Sequence, residues 1–282
     1  MKKQRNKLNF EGQNIYVGLD VHKTSWTVCI MTKELEHKGF NQKPPAGELA
    51  GYLEKNFPGG TYYPAYEAGF CGFHARLELL KRNIHNIMVN AAGVPATHKE
   101  KARKDDRRDS RKIARGLRNG ELEAIYVPLR KTIEDRMLYC ARMAIVKDLR
   151  RCKQRIKAML DFLGIGQPFI FSAPGARWSR RCMDWPDGMK MEHDTGGYAL
   201  KMLTGEVKEL RKRLLDTNKK LRKLSCSEVY KDGCKLVGSI PGIALITGMA
   251  FLTEIEDINR FPGTGRFAAC AGLVPSCHST SE

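Results

Sequence analysis

The chain has 282 residues, 42% hydrophobic and 28% charged, which is too apolar for wholesale disorder and long enough for two domains. Lys and Arg number 49 against 31 Asp and Glu, a formal net charge of +18. That surplus argues against a small-metabolite enzyme and for a polyanionic partner, either nucleic acid or an acidic membrane surface. The basic N-terminal stretch lacks an apolar core, so it does not read as a signal peptide. The longest apolar run, Leu236 to Leu252, is broken by Ser239, Pro241 and glycines. It therefore predicts a buried helical turn rather than a membrane span. Nine cysteines, none in a Cys-x-x-Cys pair, fit a reduced, cytoplasmic protein and give no zinc signal.

In chain order, Ile15 to Asp20 is a β-rich run ending in a carboxylate. Ser25 to Met31 alternates, with Trp26, Val28 and Ile30 predicted on one face, and His37 to Phe40 predicts a third short strand. The short connections suggest an antiparallel meander. Pro45 opens a helix to about Asn56, and Gly59-Gly60 breaks the chain. Tyr62 to Tyr66 predicts a fourth strand ending at Glu67, Phe73 to Lys81 a helix, and Asn83 to Val89 a fifth strand. Three antiparallel strands followed by alternating helices and parallel strands is the order of an α/β ribonuclease-H-like fold.

The middle of the chain is helical. Apolar residues recur at Leu138, Ile145, Leu149, Cys152, Ile156, Met159 and Leu163, interrupted by Arg142. A second seam runs through Leu203, Val207, Leu210, Leu214, Leu221 and Leu224, with Thr217 in the one polar slot. Gly164 to Gly197 reads as a long connection, so the two helices predict an antiparallel coiled-coil arm. Its outer faces carry Arg150, Arg151 and Lys153 on one helix and Arg211, Arg213, Lys219 and Lys220 on the other. With few balancing acids, these faces predict phosphate contacts. Val237 to Ile243 then precedes a helical run to Ile255, an arrangement like a helix-hairpin-helix, although Ala244 stands where that turn has its second glycine.

Four acids carry the chemistry. Asp20 ends the first strand and Glu67 the fourth, while Asp106 and Asp109 are spaced to share one helix face. Carboxylates crowded at neighbouring element ends repel one another, and a divalent cation removes the conflict. Oxygen-only ligands favour Mg²⁺ or Mn²⁺. Asp105 reads as a surface charge. His22 and Lys23 either touch a phosphate or shape the turn, and stay outside the catalytic set. Lys104, Arg107, Arg108, Arg111 and Lys112 surround the two helical acids and suit an approaching nucleic-acid backbone. Trp26 reads as core; Trp178 and Trp185 either stack on RNA bases or pack at an oligomer contact.

Tyr16 to Lys23, then Tyr66-Glu67-Ala68-Gly69, then Lys104 to Asp109 resemble successive motifs of the DEDD transposases of the bacterial insertion sequence 110 family, whose first domain is similar to the RuvC resolvase. Ile240 to Ile243, Glu254 to Phe261 and Ala271 to Pro275 resemble that family's C-terminal transposase domain. The resemblance implies a RuvC-like domain over 1–130, a coiled-coil arm over 131–228 and a serine-bearing domain over 229–282. It further implies a site-specific recombinase guided by a structured RNA that pairs with donor and target DNA, acting as dimers that pair into tetramers. Asp20, Glu67, Asp106 and Asp109 would bind Mg²⁺, and Ser279 would attack a DNA phosphate. Two departures are Ser281, where the family has glycine, and the chain's stop at Glu282, where the family continues with further basic helices. A shortened copy with impaired strand exchange is the expectation they raise. The alternatives are a metal-dependent nuclease or junction resolvase that uses water, and a nucleic-acid-binding remnant.

Overall fold

The computed structural model describes residues 9–94, 106–166, 168, 176 and 178–274, and the chain divides into two compact units, 1–127 and 128–282. In the first unit, β1 (Asn14–Val21), β2 (Trp26–Met31), β3 (Glu36–Gln42), β4 (Thr61–Glu67) and β5 (Ile87–Val89) form one sheet in the order β3-β2-β1-β4-β5. β1 pairs antiparallel with β2, and β2 with β3, whereas β1–β4 and β4–β5 are parallel. This is the mixed topology the element order predicts, and it fits an α/β nuclease-like domain. The fifth strand is shorter than the sequence suggests: Ile84 and Asn86 are buried, but the paired ladder begins only at Ile87.

Both faces of the sheet are covered. On one, Ile15, Val17 and Leu19 meet Leu49 and Leu53 of α1 (Ala46–Asn56) and Ala75 and Leu79 of α2 (Gly72–Leu80). On the other, α3 (Asp106–Asn119) sets Ala114 against Tyr16, Cys29 and Met31. This explains why every residue of β2 is buried, where the alternation predicts a buried face of Trp26, Val28 and Ile30 only. Gly18 makes the second face possible. A Cβ there would drive into the Ser110 carbonyl and the Ala114 amide, so only glycine lets the α3 backbone lie on β1.

In the second unit, α4 (Arg130–Phe162) and α6 (Asp194–Ser225) are long helices of 33 and 32 residues. They run in opposite directions, because Arg142 Nε donates to Asn218 Oδ1 while the Cys152 thiol, further along α4, donates to the Leu203 carbonyl. Their shared core is Leu149, Cys152, Ile156 and Leu160 against Leu200, Val207 and Leu210. Those steps of three and four keep one stripe inward along each helix. Leu163, the last residue of the predicted first seam, is 48% exposed. The connection holds a short helix, α5 (Arg180–Asp184), and Met183, Trp178 and Trp185 pack onto the helix pair of their own chain.

Beyond the pair, α7 (Lys231–Gly238) leads through a turn with Gly242 at φ 89° into α8 (Leu245–Ile255), followed by α9 (Thr264–Cys270). α8 is anchored to the start of α4 by Arg136, which donates to the Thr253 carbonyl at 2.7 Å, and by Glu256, whose carboxylate accepts from the Leu129 amide at 3.1 Å and the Thr132 hydroxyl. The negative charge therefore satisfies otherwise orphaned donors at a helix N-terminus. We expect Glu256→Ala to destabilise the chain by about 1–2 kcal/mol and Glu256→Gln by less, read as shifts in the denaturant midpoint. Among the described residues no helix is long and apolar enough to cross a membrane.

Candidate metal centre

β1 carries Asp20 to the carboxyl edge of the sheet. Parallel pairing ends at Leu19 opposite Tyr66, so Asp20 and Glu67 follow on neighbouring strands, about 4.8 Å apart by sheet spacing. Strand alternation turns both away from the face that buries Leu19 and Tyr66, toward α3. α3, held close by Gly18, brings Asp106 and Asp109 to the same edge.

Ligand atoms of Asp20, His22 and Asp106 lie within 4.8 Å of one another. His22 Nε2 is 3.1 Å from Asp20 Oδ2 and 3.9 Å from Asp106 Oδ2. Glu67 and Asp109 stand beside this trio but outside it. Asp109 Oδ1 accepts from the ammonium of Lys112 at 2.8 Å, and Lys112 is buried, with 8% exposure. The chain thus supplies its own cation to one of the four acids. Asp106 is exposed, and Asp20 and Asp109 are half-buried.

The electrostatics agree with a crowded anionic site. Burial pushes the Asp20 carboxyl above the usual carboxylate range; the His22 ring pulls it down, and the charges of Asp106 and then Asp109 push it up again. Oxygen donors with one imidazole suit a hard or borderline divalent cation. Binding such an ion requires the Asp20 carboxylate, which by this shift deprotonates only above the ordinary range. Mn²⁺ affinity is therefore expected to fall on acidification sooner than for an unperturbed aspartate, measurable by calorimetric titration at several pH values.

His22 is the residue the sequence argument left out. The signal was present: His22 is two positions after Asp20, so an extended chain returns it to the same face. The basic residues distribute unevenly. The Arg111 guanidinium bridges Glu36 at 2.8 Å, Lys112 is engaged by Asp109, and Arg107 and Arg108 lie on the first turns of α3. Arg150, Arg151, Arg213, Lys219 and Lys220 are exposed on the helix pair, with Arg151 near Asp148, Arg213 on Glu209 and Lys219 near Asp216. Lys153 and Arg211 turn inward to Trp178. Lys104 and Ser279 lie outside the described residues.

Residues 17–165 match the DEDD transposase model of the IS110 family, and residues 234–282 match the transposase IS116/IS110/IS902 family. The chain is 27% identical over 272 residues to a putative transposase, y4qE, of Sinorhizobium fredii, covering 95% of this chain and 65% of that protein. It is 21% identical over 260 residues to the transposase for insertion sequence element IS1533 of Leptospira borgpetersenii, covering 90% of this chain and 73% of that protein. It thus spans less than two thirds of the first of these relatives. Two family matches in the expected order, one of them over half of the chain, place this protein in the IS110 family of DEDD transposases.

Proposed function

We propose that the chain cleaves and rejoins DNA strands in the movement of a bacterial insertion sequence. The observation that carries this reading is the meeting of Asp20 with Asp106, 86 positions later in the sequence, at the edge where Glu67 and Asp109 also arrive. Asp20, Glu67, Asp106 and Asp109 would hold Mg²⁺ or Mn²⁺, which when bound would offset charge developing on a phosphate. His22 orients the Asp20 carboxylate through their contact. Lys112 fixes one oxygen of Asp109 by donating to it.

By family likeness the nucleophile is the Ser279 hydroxyl. Its oxygen bonds to a DNA phosphorus, the phosphorus–oxygen bond to the leaving strand breaks, and the hydroxyl proton passes to that strand's departing oxygen. The resulting phosphoserine ester keeps the bond energy for rejoining, where water would lose it. The same likeness supports a structured guide RNA that pairs with donor and target DNA, dimers pairing as tetramers, and a division into a RuvC-like region 1–130, a coiled-coil arm 131–228 and a serine-bearing region 229–282. The cationic faces of the helix pair and the turn before α8 supply phosphate contacts along the strands.

The test is a covalent protein–DNA adduct formed on element-end DNA with the copurifying RNA. Ser279→Ala is expected to abolish the adduct while RNA and DNA binding persist. Cleavage by Ser279→Ala at the parental rate would instead assign the attack to water and make the chain a nuclease.

A further inference from the structure

A cleft of about 410 Å³ opens along α4, in the size range of small-ligand sites, roughly 300–1,000 Å³. Its sheltered lining is apolar, with Leu149 and Leu160 buried and Trp178 half-buried. Its exposed lining is net cationic, with Arg150 and Lys157 on either side of Lys153, beside Gln154 and one acid, Asp161. Lys153 is half-buried, its ammonium 5.5 Å from the centroid of the Trp178 ring. Arg211 reaches across from α6 and donates to the Trp178 backbone carbonyl, holding that residue at φ 66°, a backbone region bulky residues rarely enter.

Among the described residues no carboxylate pairs with Lys153 or Arg211. Burial, followed by the neighbouring Arg211 charge, lowers the affinity of the Lys153 amine for its proton, and burial does the same to Arg211. A sheltered lysine that no described carboxylate pairs, beside an indole and flanked by Arg150 and Lys157, leaves the cleft suited to a ligand that joins negative charge to a flat ring. A nucleotide has both. In a duplex the base faces are hidden in the stack, so only an unpaired nucleotide offers one to Trp178.

We propose that this cleft binds an unpaired nucleotide of a single-stranded nucleic acid, with Trp178 against the base and Arg150, Lys153 and Lys157 toward the phosphates. The proposal rests on the reading of this chain as a nucleic-acid-binding protein, and adds to it a site for single strands remote in sequence from the carboxylates. RNA and DNA share the chemistry, and the experiment separates them.

The full chain carrying Asp20→Asn, to prevent cutting, is titrated by fluorescence anisotropy against three labelled oligonucleotides of one sequence: single-stranded RNA, single-stranded DNA and the duplex DNA. Adding Trp178→Ala is expected to weaken binding of the preferred single strand by about tenfold, the loss of one stacked base, and duplex binding by less than about twofold. Trp178→Phe is expected to recover most of the loss. The strand that responds identifies the source. Equal weakening of single strands and duplex, or none, overturns the proposal. Because Trp178 also packs on the helix pair, Arg150→Gln and Lys157→Gln, both exposed, provide a second arm. A loss selective for single strands supports the site even if Trp178→Ala does not fold, and an unselective or absent loss overturns it. A parent chain that binds none of the three oligonucleotides defeats the broader reading as well, a result distinct from binding without selectivity.

Discussion

Asp20→Asn is expected to slow DNA strand cleavage by at least about a hundredfold, because the several kcal/mol of charge stabilisation expected of a bound divalent ion is lost at about 1.4 kcal/mol per tenfold in rate. Asparagine keeps the size of the side chain, and removing a half-buried charge beside Asp106 and Asp109 relieves repulsion in the fold. Thermal stability in the absence of metal should therefore hold or rise while cleavage falls. The same separation is expected for Asp106→Asn, which is exposed and has no packing role to lose. His22→Ala should leave the four acids in place but loosen Asp20, giving a smaller loss, about 10- to 100-fold, that shows first as weaker metal affinity. Parallel loss of folding and cleavage in Asp20→Asn would mean that the carboxylate is structural, and parental cleavage would remove it from the site.

Gly18→Ala is expected to cost about 3 kcal/mol or more of stability, at or above the top of the usual overpacking range. The added methyl would meet backbone atoms of α3, the Ser110 carbonyl and the Ala114 amide, and these cannot rotate away as a side chain would. α3 must shift as a body, and Asp106 and Asp109 move with it, so cleavage is expected to fall with stability. Gly51→Ala is the matched control. It lies within α1 with nothing within 4 Å of the added Cβ. In that helix interior alanine is favoured by up to about 1 kcal/mol, so the control should be neutral or more stable. Chemical denaturation of the two variants beside the parent decides the matter: equal midpoints for Gly18→Ala and Gly51→Ala would mean that α3 does not rest on β1.

Much of this was legible in the residues because strands and helices impose different periods on apolar side chains. β1, β3, β4 and α1 fall close to their predicted spans, and the seams of α4 and α6 follow steps of three and four. Where the period failed, a long-range partner was responsible. β2 is buried on both faces because α3, more than 70 positions later, covers the side that alternation leaves open. Trp178 and Trp185 pack on the helix pair of their own chain, a placement that no local pattern near either residue encodes.

The acids show the same division. Asp20 and Glu67 announce themselves at strand ends, and Asp106 and Asp109 share a face by their spacing, so local geometry alone made all four candidates. Which of them come within ligand distance was settled by packing. The fold brings His22 rather than Glu67 or Asp109 into the closest trio with Asp20 and Asp106, and draws Lys112 onto Asp109. The sequence by itself determined most strand and helix spans and the basic character of the helix faces, because these depend on periodicity and composition within short windows. Only the tertiary structure decided which charges are neutralised from within, which cations turn toward Trp178, and which donors converge, because those outcomes depend on how closely one backbone can approach another across many intervening residues, as Gly18 allows for α3.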